Sequence, residues 1–231
     1  MQHLAVRAYS LHSERPFTAT GLGDRIHQLT CAWAYSQVHG PTTLHIDQRK
    51  LEGGQFRNKP ESWREILSLF PAGWLTLQTH AVYPVDEPDW LRHLKGVPVW
   101  GYSDFAGDGI DIVPYLCNIP LLQMGTQFPL PERFGTQQWD ATAPSRQFPP
   151  VAYDLPMITV GGEGREPYRS SLREIAAAMT AAEFHAGVDS AFMHMAFLYL
   201  PPERIHLYTT GAESHHLKRA RANGASVRYQ A

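Results

Sequence analysis

One run, Phe184-His185-Ala186-Gly187-Val188-Asp189-Ser190-Ala191-Phe192-Met193-His194-Met195-Ala196-Phe197, constrains this chain more than any other. Phe184 to Val188 reads as a short buried strand, and Phe192, Met195, Ala196 and Tyr199 recur at helical spacing. Asp189 and Ser190 stand on the joint. A strand that enters a helix through two polar residues presents backbone N–H groups and the positive end of the helix dipole above its own carboxyl end, which attracts phosphate. His194 follows Ser190 by four residues, so it returns to the same face and the same end of the helix. Asp189, Ser190 and His194 are therefore candidates for one anion site. Each also has a purely structural reading, as a helix cap for the first two and as a core histidine for the third.

The rest of the chain alternates in the same way. Leu4 to Tyr9 reads as a strand, a polar loop follows from Ser10 to Thr20, and Gly21-Leu22-Gly23-Asp24-Arg25 opens a helix carrying Ile26, Leu29, Trp33 and Val38. That helix stops at His39-Gly40-Pro41, and Thr42 to Asp47 is a second strand, which completes a βαβ unit. A dinucleotide fingerprint fails here. Although Asp47 stands where a ribose-binding acid would, Ile26 fills the third glycine position and Asp24 places a negative charge where pyrophosphate would lie. Asp24 itself suits two roles, N-cap and proton acceptor.

A polar loop is expected over residues 48–59, helices over 60–70, 89–94 and 107–122, and strands over 74–79 and 97–100. The second half begins with a strand from Phe134 to Trp139 and a polar loop to Pro150 that contains Arg146. Pro156 to Val160 reads as a buried strand ending at Gly161-Gly162-Glu163-Gly164, where glycines admit a ligand to the backbone and Glu163 suits either a sugar hydroxyl or the turn. Ser170 or Ser171 with Glu174 makes a capping box for a helix to Ala182. A strand over 204–208 and a final helix over 213–223 complete the pattern, and no helix is legible between Trp139 and Pro156. The expectation is an α/β chain of two small Rossmann-like domains, 1–125 and 126–231, with the second domain's ligand edge near residues 140, 162 and 189.

Composition narrows the function classes. A formal charge of -2 and a pI near 6.6 give no basis for wrapping nucleic acid, and Lys218-Arg219-Ala220-Arg221 reads as a solvated helix face. With 43% hydrophobic and 18% charged residues the chain has the composition of a soluble globular protein. Cys31 and Cys117 lie in apolar settings and read as free thiols, and Met1 to Tyr9 has no apolar leader core, so a cytoplasmic location is expected. The scattered histidines give no metal-ligand spacing and no Asp-x-Asp is present, so neither a metal nor a resident cofactor is expected.

Asp189-Ser190 followed by His194 resembles the donor signature of the heptosyltransferase-like glycosyltransferases, and the Gly23-Asp24 pair resembles the start of their first helix. Gly21-Leu22-Gly23-Asp24-Arg25 is also similar to the opening of fucosyltransferase-like proteins. The heptosyltransferase resemblance implies a trimmed GT-B fold, its two domains facing across a cleft. It implies a metal-independent transfer of sugar from a nucleotide-diphosphate sugar, with Asp24 as catalytic base and Gly23 and Arg25 on the acceptor side. The implied donor set is Arg146, Gly161, Gly162, Glu163, Asp189, Ser190 and His194. Ala191 stands where that signature carries glycine, which with the missing helix keeps a second reading in view: a non-catalytic binding protein on a reduced scaffold. A serine hydrolase on Ser190 and His194 is disfavoured, because Ser190 lies in no Gly-x-Ser-x-Gly elbow.

Overall fold

The computed structural model describes residues 2–6, 9–10, 18–19, 22–47, 65–80, 95–97, 99–100, 129–140, 146–160, 171–211 and 215–229. The chain divides into two compact units, Met1–Ile112 and Val113–Ala231. The expected boundary at 125/126, the loop over 48–59, the helices over 89–94 and 107–122, and Gly161 to Gly164 lie outside the described residues.

The first unit holds strands β1 (Gln2–Val6), β2 (Tyr9–Ser10) and β3 (Thr18–Ala19), helix α1 (Leu22–His39), then β4 (Thr42–Asp47), β5 (Leu75–His80) and β6 (Val99–Trp100). β5, β4, β1 and β6 form one parallel sheet in that order. Counted along the unit this is the order 3-2-1-4 of a doubly wound half, which reverses between β1 and β6. β2 and β3 pair antiparallel at the edges of the segment expected as plain loop. Every residue of α1 from Arg25 to Ser36 is buried, so this stretch of the helix is wrapped on all sides, and the hydroxyls of Thr30 and Ser36 are satisfied locally, Thr30 Oγ1 donating to Ile26 O and Ser36 Oγ to Trp33 O. Gly40, at φ 85°, ends it by donating its N–H to Ser36 O. Of the helix expected over 60–70, residues 65–70 are described, with Ile66, Leu69 and Phe70 buried. Trp33 and Trp74 meet edge to face at 5.1 Å in the same core.

The second unit runs β7 (Gly135–Gln138), β8 (Met157–Thr159), α2 (Leu172–Ala181), β9 (His185–Val188), α3 (Ala191–Tyr199), a short 3-10 turn, β10 (Ile205–Thr209), α4 (His215–Asn223) and β11 (Ser226–Tyr229). The sheet order is β11-β10-β9-β7-β8, parallel throughout. Counted along the unit this is 2-1-3-4-5, whose direction reverses between β7 and β9. The capping box on α2 is the expected one, Ser171 with Glu174. At the other end of α2, Arg204 donates to the carbonyls of Thr180, Ala182 and Glu183, where a cation is favoured. β9 approaches β7 closely at Gly187: a Cβ there would lie 2.8 Å from the carbonyl oxygen of Gln138.

Three expectations are corrected. The sequence reading ended at α4, but the chain turns at Gly224 (φ 81°) into β11, an edge strand with two of its four residues exposed and hence no hydrophobic alternation to announce it. β8 is partly buried rather than buried, because it is the opposite edge; only the next residue, Val160, is fully covered. Arg219 is not on a solvated face: it is 5% exposed. The connection from β7 to β8 contains no α-helix among the described residues. Phe148, Val151 and Tyr153 from this connection pack instead on Trp139, Ala186, Val188 and Tyr208, and the hydroxyls of Tyr153 and Tyr208 meet at 2.7 Å.

Candidate functional site

In an open parallel sheet, ligands bind beyond the carboxyl ends of the strands where the order reverses, since the connections leave to opposite faces there and open a crevice. In the second unit that position is the end of β7, at Trp139-Asp140, beside the end of β9, at Asp189-Ser190. Ser190 is the residue before α3, with extended backbone (φ -148°, ψ 175°), and its side chain makes no capping hydrogen bond. Its Oγ is buried and has no hydrogen-bond partner among the described residues. The first-turn N–H groups of a helix have no acceptor within the helix, and here the Ser190 side chain supplies none, its carbonyl accepting from His194 N–H at 3.4 Å. The Ser190 hydroxyl and the start of α3 thus share one corner.

Asp189 is buried at this corner, and its carboxylate faces Arg146, whose guanidinium Nη1 lies 3.8 Å from Asp189 Oδ1. The Arg146 side chain is 55% exposed, so the pair has one buried and one solvated end. The Arg146 guanidinium is thus near the buried Asp189 carboxylate while its side chain remains more than half exposed. Three residues of the expected donor set, Arg146, Asp189 and Ser190, are therefore brought together from two elements that are distant in sequence.

His194 takes a different place. It is 6% exposed, and its Nδ1 lies 3.0 Å from Nη1 of Arg219 on α4. Arg219 was missed by sequence reasoning because it sits in a run of charges. The available signal was a deficit: α4 offers only Leu217 and Ala220 as buried apolar residues, so another side chain has to lend its stem to the contact. Beneath the corner, His185 is completely buried with Nδ1 3.1 Å from Thr136 Oγ1, and Gln138 donates from Nε2 to the carbonyl of Asp140. His185 Nε2 and Gln138 Oε1 join Ser190 Oγ as buried polar atoms without hydrogen-bond partners among the described residues. Burial, and then the charge of His206, push His185 down to about 3.

In the first unit, Gly23 and Asp24 are the second and third residues of α1, so Asp24 lies inside the first turn and not at the N-cap. Arg25 is 4% exposed and engaged within the fold, a buried position for a residue expected on the acceptor side. Cys31 is buried, with its Sγ 3.4 Å from His27 Nε2. Among the described residues no group of three metal-ligating side chains converges, and no helix is long and apolar enough to cross a membrane.

No protein-family model matches the sequence, and no curated protein does. Solved structures do. The iron-containing dodecameric glycosyltransferase TibC of enterotoxigenic E. coli matches 90% of this chain and 57% of its own at TM-score 0.50 and 11% identity. The TibC heptosyltransferase in complex with ADP-D-β-D-heptose matches 90% and 58%, again at 0.50 and 11%. The fold is heptosyltransferase-like. The E. coli heptosyltransferase WaaC with ADP-2-deoxy-2-fluoro heptose also matches, over 98% of this chain and 93% of its own at TM-score 0.44 and 12% identity. At such identities the likeness is one of scaffold, an α/β glycosyltransferase-like chain with parallel sheets. The chain spans somewhat more than half the length of TibC. The similarity of Gly21 to Arg25 to fucosyltransferase-like proteins stays a similarity of sequence.

Proposed function

We propose that this heptosyltransferase-like chain is a glycosyltransferase that binds a nucleotide-diphosphate sugar at the Asp189-Ser190 corner and transfers the sugar without a metal. One observation carries the reading: the corner that the sequence singles out for an anion is also the reversal point of the β11-β10-β9-β7-β8 sheet, with an unpartnered Ser190 Oγ beside the start of α3. The chemistry is electrostatic. As the glycosidic bond breaks, the departing diphosphate gains negative charge, and donors already fixed in place stabilise it without reorganising. The first-turn N–H groups of α3, Ser190 Oγ, His194 and the Arg146 fork are those donors, with Glu163 and the Gly161-Gly162 backbone proposed to hold the sugar or ribose. Asp24 of the first unit is the proposed base for the acceptor.

Arg146 gives the direct test. Its charge and its planar fork contribute separately, so Arg146→Lys is expected to weaken donor binding less than Arg146→Ala, with roughly a tenfold loss in the alanine variant, as for one charge-assisted hydrogen bond. Calorimetry against a panel of ADP-, UDP- and GDP-sugars measures this. Wild-type protein that binds none of them sinks the reading; undiminished binding in both variants removes Arg146 from the site.

A second reading is a binding protein that holds a nucleotide sugar, or another anion, without turnover. The connection from β7 to β8, which shows no α-helix among its described residues, and Ala191 at the turn favour it. Saturable binding with neither transfer nor donor hydrolysis across the panel would select it.

A further inference from the structure

His194 and Arg219 are both buried, on different helices, and joined at 3.0 Å. Guanidinium has donors and no acceptor, so in this contact Nδ1 of His194 accepts. A neutral imidazole that accepts at Nδ1 carries its proton on Nε2. We propose that Arg219 is a positioning residue that fixes His194 in its Nε2–H form, so that the histidine acts only as a hydrogen-bond donor to an anion at the start of α3. The proposal rests on the donor-corner reading and extends it to a residue that touches no substrate.

The geometry suits the task. His194 is the fourth residue of α3, and side chains of a helix lean toward its N-terminus, where the first-turn N–H groups lie. An imidazole left to choose its tautomer would present a lone pair to phosphate for part of the time. Arg219 removes that choice with a contact anchored on α4. Burial pulls its guanidinium down to about 9, so it still carries its charge at neutral pH. That charge adds a second favourable field behind the anion in a medium that screens it little.

The imidazole nitrogen shifts of 15N-histidine-labelled protein read the tautomer without any ligand, and calorimetry with inorganic pyrophosphate reads the corner. In wild type the expected result is one neutral His194 species protonated at Nε2, with saturable pyrophosphate binding. Arg219→Met is expected to give a tautomer mixture and roughly tenfold weaker pyrophosphate binding, and Arg219→Lys, which restores a donor, to recover part of both. If Arg219→Met does not fold, Arg219→Gln replaces it, because its amide can turn its oxygen to the ring and release the constraint. A folded Arg219→Met with the wild-type tautomer, or with the wild-type dissociation constant, overturns the positioning role. Wild-type protein with the Nε2–H form and no pyrophosphate binding overturns the donor-corner reading instead, and the anion-directed part of this proposal with it.

Discussion

Asp24→Asn is expected to reduce sugar transfer by roughly 100-fold to 10,000-fold, the range for losing general-base assistance, while donor affinity stays at the wild-type level. The substitution keeps size and shape but cannot take up the acceptor's proton as a carboxylate does. Asp24 is the third residue of α1 and not the residue before it, so the variant does not remove the N-cap residue, and the charge–dipole interaction of a first-turn acid is worth about 0.3 to 1 kcal/mol. The melting temperature should therefore move by a few degrees at most. The measurement needs the cognate acceptor or, without it, the slow hydrolysis of donor by water. Transfer at the wild-type rate would leave the first unit without a catalytic role.

Lowering the pH from 7 to 5 is expected to destabilise the second unit by about 2 kcal/mol through His185 alone. Burial first, and then the positive charge of His206, hold this histidine neutral in the folded protein down to about pH 3. The unfolded chain lets it take a proton below about 6.5. In that interval the unfolded state binds more protons, so the contribution is complete above pH 6.5 and is lost as the pH falls toward 3. His206, also pushed downward by burial first and then by Arg228, acts in the same direction. Melting temperatures taken from pH 7.5 to 4.5 should fall steeply for wild type. His185→Gln keeps a hydrogen-bonding partner for Thr136 Oγ1 and cannot titrate, so its profile should be flatter. Parallel profiles for the two proteins would show that His185 does not set acid stability.

The strand-turn-helix at 184–197 was legible because its apolar period changes at two polar residues, and a change of period is local information. Helix α1 and strand β4 were legible for the same reason, helped by Gly40, whose positive φ is a backbone requirement that the sequence announces. Arg146 beside Asp189 was legible only through family resemblance, since nothing local says that a loop arginine crosses to a strand end more than forty residues away. Arg219 was hidden outright. Its neighbours Lys218 and Arg221 are exposed, and only tertiary packing separates the buried guanidinium from the two solvated cations that flank it. Strand β11 failed differently, because an exposed edge strand is specified by the backbone of its neighbour and not by its own side chains.

The ladder of the second sheet also sets the order in which it comes apart. From β9 to β11 each strand pairs with the next one along the chain, whereas β7 meets β9 across a sequence separation of 49 at Thr136 and His185. Closing that loop delays the β7 contact during folding, and β8 can join only after β7 has docked, since among the described strands it pairs with β7 alone. The sheet therefore behaves as a consecutive three-stranded block with a two-stranded leaf hinged on it, the leaf opening first as a local unfolding event. The hinge line is the β7/β9 junction, and the proposed anion corner sits at its end. A ligand held by Arg146 on the leaf and Ser190 on the block would act as a clasp, raising the opening free energy of β7 and β8 while the exchange of β10 amides stays as it was.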